Sequence, residues 1–193
     1  MTRGDRVDVL AAVCAQLDEG DITTATATLR SGYPFTPFMP TRRTYSPLRC
    51  VRVFLRDGFV DRYSGARLIF PPVLRALTQA MPEDFPADAN WTYAHTHPAY
   101  WELSPTLDHI LPVARGGADD DDNLVTTSML RNAAKANWTL AELGWSLRPP
   151  GDRATWDGLL GWFMRYVEAR PTLLQGSRYL RDWHRATTVA LPT

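Results

Sequence analysis

The stretch LDHILPVARGG, residues 107–117, sets a carboxylate directly before an imidazole and follows them with a proline and a Gly-Gly turn. Asn123, Asn132 and Lys135 stand downstream. These residue types suit hydrolysis of a phosphodiester. The attacking water must lose a proton, and a histidine titrating near neutrality is a suitable base. The phosphate and the leaving oxygen gain negative charge, which a hard divalent cation stabilises. Such a cation prefers oxygen ligands, and Asp108 and Asn132 offer a carboxylate and an amide carbonyl. Neighbouring residues of a strand point to opposite faces. Asp108 and His109 would therefore approach a phosphate from different sides.

The elements around these residues are legible. TLDHILPV reads as extended, ARGGADDDDN as a loop, LVTTS as a short β-branched strand and MLRNAAKANW as a helix. A hairpin packed on that helix brings the polar groups to one end. Upstream, apolar spacing predicts a helix over 5–18 and a second from Asp21 to the Gly32/Pro34 break, together a helical hairpin. YPFTPFMPTRRTYSP reads as an ordered, Pro-rich linker. LRCVRVFLRDGFV fits either a strand or a short helix before a turn at Asp57-Gly58, and RLIFPPVLRALTQAMP turns helical after its proline pair. Residues 82–106 read as irregular. TLAELGWSL gives a short helical turn, WDGLLGWFMRYVEARP a helix between Asp157 and Pro171, and 173–187 a last helix. The expected organisation is a helical hairpin and linker over 1–45, a core over 46–147, and C-terminal helices packing on it over 148–193.

The stretch DHILPVARGGADDDDNLVTTSMLRNAAKAN resembles the HNH endonucleases, the ββα-metal or His-Me nucleases. It carries their D-H, P, G-G, N-L and N-x-x-K elements as Asp108-His109, Pro112, Gly116-Gly117, Asn123-Leu124, and Asn132 with Lys135. Each element alone is a weak signal; the set in a strand-loop-strand-helix frame is far more specific. The resemblance covers about 30 residues, by count along the motif, and implies an α+β fold: a ββα-metal core with helical additions at both ends. It implies DNA phosphodiester hydrolysis with one Mg²⁺ or Mn²⁺, His109 as general base, Asp108 and Asn132 as metal ligands, Asn123 tying the loop and orienting His109, and Lys135 contacting phosphate or stabilising the site. Members with a zinc knuckle carry two C-x-x-C pairs; here Asp61, Ser64, Ser128 and Arg131 stand in those places, so no structural zinc is expected. An Asp61–Arg131 ion pair with serine hydrogen bonds and a tryptophan shell is one expectation for that region; the other is that the two segments do not meet. An RNase or toxin-type nuclease, or a binding or assembly module with little hydrolysis, are the alternatives in function.

Composition adds bounds. The chain has 193 residues, 45% of them hydrophobic, and no apolar run long enough to cross a membrane or pattern of a signal peptide, which points to the cytoplasm. Net charge is zero, yet residues 42–75 hold eight Arg against two Asp. Arg42, Arg43, Arg49, Arg52, Arg56 and Arg62, with Arg115 and Arg131, are the candidate phosphate contacts to DNA, or to RNA. Asp119 to Asp122 reads as a solvated turn, His95 and His97 as structural, and Trp101, Trp138 and Trp145 as core rather than base-stacking platforms. Cys14 and Cys50 read as reduced, buried or half-buried thiols.

Overall fold

The computed structural model describes residues 3–35, 44–90 and 92–191. It is a mixed α and β architecture in which helices dominate and two strands form one small sheet. The chain divides into two compact units at Arg42/Arg43.

The first unit is a hairpin of α1 (Arg3–Asp18) and α2 (Ile22–Gly32). Asp21 caps α2 by accepting from Thr24 N at 2.9 Å, which satisfies one of the orphan amides of the first turn. Ala25 is the only buried apolar residue described here.

The second unit begins with α3 (Pro47–Arg56). Its segment left strand and helix open in sequence, and three features decide for helix. Ser46 accepts from Arg49 N as N-cap, Pro47 occupies the first turn, and Arg49, Arg52 and Arg56 recur at helical rather than alternating spacing. After α4 (Pro71–Ala80) and α5 (Ala99–Glu102) come β1 (Pro105–His109) and β2 (Leu124–Ser128), antiparallel, with Pro105 opposite Ser128 and His109 opposite Leu124. Helix α6 (Met129–Lys135) follows β2 without a break, Ser128 being its N-cap, and packs on both strands. Then come α7 (Leu140–Leu143), α8 (Leu160–Glu168), α9 (Thr172–Gly176) and α10 (Arg178–Ala190). The single last helix expected over 173–187 is two, because Gly176 ends one and Ser177 caps the next through Leu180 N.

The core joins Val51, Val53 and Phe54 of α3 to Phe59, Phe70, Leu107, Leu124, Phe163 and Leu180. Phe70 meets Phe59, Phe163 and Trp183 edge-on with centroids 5.5–6.0 Å apart, a favourable aromatic geometry. The hairpin is thereby fixed against α3 on one side while α6 covers the other.

Among the described residues no third strand pairs with the outer edge of β2. Two buried carboxylates from the turn after α3 occupy it instead. Asp57 accepts from Thr126 N at 2.7 Å, and Asp61 accepts from Ser128 N at 2.9 Å and Thr127 Oγ1 at 3.0 Å. Between them Arg62 N donates to Thr126 O, and Arg56 Nη2 to Leu124 O. An exposed edge is a liability and a buried unpaired amide is costly; side chains answer both here.

Candidate active site

Three side chains of α6 and the β-hairpin loop converge on the end of β1. Asn132 Nδ2 donates to Leu107 O at 3.3 Å. Lys135 is fully buried and bridges, its Nζ 2.9 Å from Asp108 Oδ2 and 2.7 Å from His109 O. Asn123 closes the loop from the other strand. Its Oδ1 accepts from Leu111 N, and its Nδ2 donates to Leu111 O and to Ala118 O, all within 2.7–2.9 Å. Gly117 makes room for this clamp, since a Cβ there would lie 1.9 Å from Leu111 O and 2.8 Å from Asn123 Nδ2.

Asp108 and His109 have different neighbours, as alternation along a strand requires. Asp108 is buried and receives the Tyr63 hydroxyl at 2.6 Å on the same Oδ2 that faces Lys135. Burial, and then the charge of Asp108, push the Tyr63 hydroxyl far above its ordinary value, so it stays a donor. His109 turns instead toward Tyr45 and Asp119. Its Nε2 lies 3.1 Å from Asp119 Oδ1 and 3.3 Å from the Tyr45 hydroxyl. The hydrogen bond to His109 leads in holding the Asp119 carboxyl below its ordinary value; Tyr45 and Arg49 act in the same direction.

The donor set suits an oxygen-preferring cation in part. Both donors to Asp108 take Oδ2, and Asn132 donates through Nδ2, so among the described residues Asp108 Oδ1 and Asn132 Oδ1 have no protein donor. Against this, the Lys135 ammonium already neutralises Asp108. No group of three or more His, Cys, Asp or Glu able to hold a metal ion occurs among the described residues. Lys135 has no exposed surface, and its ammonium contacts Asp108 and the His109 carbonyl.

Five of the arginines read as phosphate contacts are engaged within the protein. Arg49 pairs with Asp121 at 2.7 Å, Arg56 and Arg62 with Asp57 at 3.0 and 2.8 Å, Arg115 with Glu142 at 3.4 Å and Arg131 with Asp61 at 3.7 Å. Arg52 is exposed and has no ion-pair partner among the described residues. Arg42 and Arg43 lie outside the described residues.

The two segments expected at a knuckle do meet. Asp61 joins them, chiefly through the Ser128 amide and the Thr127 hydroxyl. Its Oδ1 accepts from Tyr63 N and Ser64 N, its Oδ2 from Ser128 N, and Arg131 stands at the longer 3.7 Å. The serines contribute backbone amides to Asp61, while Ser128 Oγ caps α6 at Arg131 N. Trp145 supplies the aromatic shell, 5.1 Å from the Arg131 guanidinium and 5.7 Å from the Tyr63 ring. Trp101 is half-buried, but Trp138 is exposed and so is not a core residue. Cys14 is likewise exposed rather than buried, and Cys50 is half-buried.

The acidic run is exposed along the loop, as expected of a solvated turn, and three of its carboxylates also hold partners. Asp119 holds His109, Asp120 Oδ1 accepts from Asn123 N at 3.0 Å, and Asp121 holds Arg49. Sequence reasoning missed Tyr45, Tyr63, Asp57 and Asp119. The first three are distant in sequence and carry no motif. For Asp119, its place in a loop tied to His109 was the available signal.

The chain matches no known protein-family profile, no curated protein sequence and no solved structure at a significant level. Among the described residues no helix is long and apolar enough to cross a membrane.

Proposed function

We propose that this chain is a metal-dependent endonuclease of the HNH type, hydrolysing DNA phosphodiester bonds at the end of β1. The observation that carries the reading is the convergence of Asp108, His109, Asn123 and Asn132 through the hydrogen bonds of α6 and the loop to residues 107–111. His109 takes the proton of the attacking water as the new P–O bond forms and the bond to the leaving oxygen breaks. A divalent cation, Mg²⁺ or Mn²⁺, would supply charge stabilisation at the phosphate and leaving oxygen. Asp108 Oδ1 and Asn132 Oδ1 are the atoms that would hold it. Asn123 fixes the backbone that carries the imidazole, and Lys135 holds Asp108 and the His109 carbonyl in one arrangement. Arg52, and the outer faces of Arg56, Arg115 and Arg131, are the phosphate contacts that remain most accessible.

One observation favours a second reading. With the Lys135 ammonium already on Asp108, the site also fits a nucleic-acid-binding module that hydrolyses weakly or not at all.

Plasmid nicking by purified protein in Mg²⁺, Mn²⁺ or excess EDTA separates the two. The nuclease nicks or linearises DNA only with metal, and His109→Ala and Asn132→Ala abolish this while keeping the circular dichroism of the parent. A wild-type protein inert on plain plasmid, modified DNA and RNA, yet retaining DNA in a mobility shift, establishes the binding module. Cleavage confined to RNA assigns an RNase.

A further inference from the structure

We propose that Asp119 is a positioning residue for His109, its carboxylate fixing the imidazole in the tautomer that carries the proton on Nε2 and leaves the lone pair on Nδ1 for the attacking water. The proposal rests on the nuclease reading for its catalytic meaning, but not for its geometry.

The hydrogen count around the triangle of Tyr45, His109 and Asp119 allows one neutral arrangement. An ionised carboxylate only accepts. The Tyr45 hydroxyl has a single proton, which it gives to Asp119 Oδ1 at 3.1 Å. His109 Nε2, 3.1 Å from that same oxygen, must then be the donor. Its N–H also falls 3.3 Å from the Tyr45 oxygen, a three-centre bond with Tyr45 as minor acceptor. The other tautomer would face two lone pairs across 3.1 Å. In a neutral imidazole, which nitrogen is basic is set by the bond the other one makes.

Asp119 is itself held, as a positioning group must be. Arg49 of α3 donates through Nη2 to Asp119 O at 3.3 Å, places Nη1 3.7 Å from the carboxylate, and lies 4.9 Å from the centre of the Tyr45 ring. The same guanidinium grips Asp121 through Nε. On the loop's other flank, Asn123 holds Ala118 O, next to Asp119. The acidic run thus delivers one carboxylate to the imidazole and spends another on anchoring the loop. His109 is only 12% exposed at its side chain whereas Asp119 is 40% exposed, so substituting Asp119 does not open the core.

The test reads the tautomer and the turnover separately. In ¹⁵N-labelled protein, long-range proton–nitrogen correlation assigns the His109 ring nitrogens by comparison with His109→Gln. Wild type is expected wholly as the Nε2–H form, Asp119→Ala as a mixture, and Asp119→Glu as largely restored. Tyr45→Phe keeps the tautomer, since the carboxylate sets it. In plasmid nicking, Asp119→Ala lowers the turnover rate about 10- to 100-fold, within the roughly 10²–10⁴ that a general base contributes in all. Half-saturation in DNA stays unchanged, and Asp119→Glu regains part of the rate. An unchanged tautomer in Asp119→Ala overturns the proposal, and so does a shifted tautomer with undiminished nicking. A shifted tautomer in a protein whose wild type cleaves no nucleic acid supports the positioning geometry and overturns the nuclease reading instead.

Discussion

A lysine with no exposed surface beside a buried aspartate is a costly arrangement unless each partner is satisfied. Lys135 is satisfied by Asp108 Oδ2 and the His109 carbonyl, and Asp108 also by Tyr63. Removing the cation alone strands a buried carboxylate. Lys135→Met is expected to destabilise by about 3–5 kcal/mol, whereas the double variant Lys135→Met/Asp108→Asn recovers part of that loss. Denaturant melts of the four proteins in the cycle give the coupling, and additive losses would show that the pair is not a unit. The cysteines behave differently from one another. Burial raises the Cys50 thiol from its ordinary 9.0 to about 11, only partly opposed by Arg49, while Cys14 is exposed. A thiol reagent at mildly alkaline pH should therefore label Cys14 at once and Cys50 only on unfolding. The sign for stability follows from the raised value. Cys50 contributes fully below its ordinary value of 9.0 and loses that contribution as pH rises through about 11. Cys50→Ala should flatten the alkaline limb of a melting-temperature profile; an unaltered limb would assign that limb to other groups.

The elements of the second unit depend on what covers the free edge of β2. Asp61 alone meets the amides of Tyr63, Ser64 and Ser128 and the Thr127 hydroxyl. Asp61→Ala leaves buried donors unsatisfied and Arg131 without its partner, a loss of about 3–5 kcal/mol. It should lower the thermal midpoint far more than Arg131→Ala, because Arg131 stands at 3.7 Å and is partly exposed; equal losses from the two variants would assign the joint to the ion pair instead. The contrast also explains what the sequence could and could not disclose. Strand, loop, strand and helix from 105 to 135 were legible because they follow local periodicity and carry their own caps, Ser128 among them. The polar residues of the site, Asp108, His109, Asn123 and Asn132, were legible because one hairpin and one helix hold them all. Asp57 and Tyr63 were not, since their partners lie 45 or more residues away and only the folded chain brings them to Thr126 and Asp108. Asp61 was placed opposite Arg131 by analogy with a metal knuckle, but its main partners are amides, which every residue possesses and no pattern advertises. The arginines misled in the same way. Their excess over acids in 42–75 is real, yet Asp57 and the 119–121 run pair with three of the six described, Arg49, Arg56 and Arg62, from inside the turn and from across the hairpin.

The whole molecule divides unequally. The unit from Arg43 onward owns the aromatic core, the sheet and every described group of the candidate site. The hairpin of α1 and α2 buries Ala25 but leaves Val7, Leu10, Leu17 and Ile22 substantially exposed. Helices of 16 and 11 residues are marginal in water unless packing supports them, and a segment this short buries too little surface to fold on its own. A chain spanning residues 43–193 should consequently melt cooperatively, keep the tertiary dichroism of its tryptophans, and retain whatever nicking the full chain possesses. A peptide of residues 1–42 should be largely unstructured, with helix returning only in a helix-promoting alcohol. Side-by-side melts of the full chain and the 43–193 chain test the division. Coincident transitions mean that the hairpin adds little to the stability of the second unit. A large drop in the shorter chain would overturn the division, and the exposed leucines of α1 would be the first positions to probe.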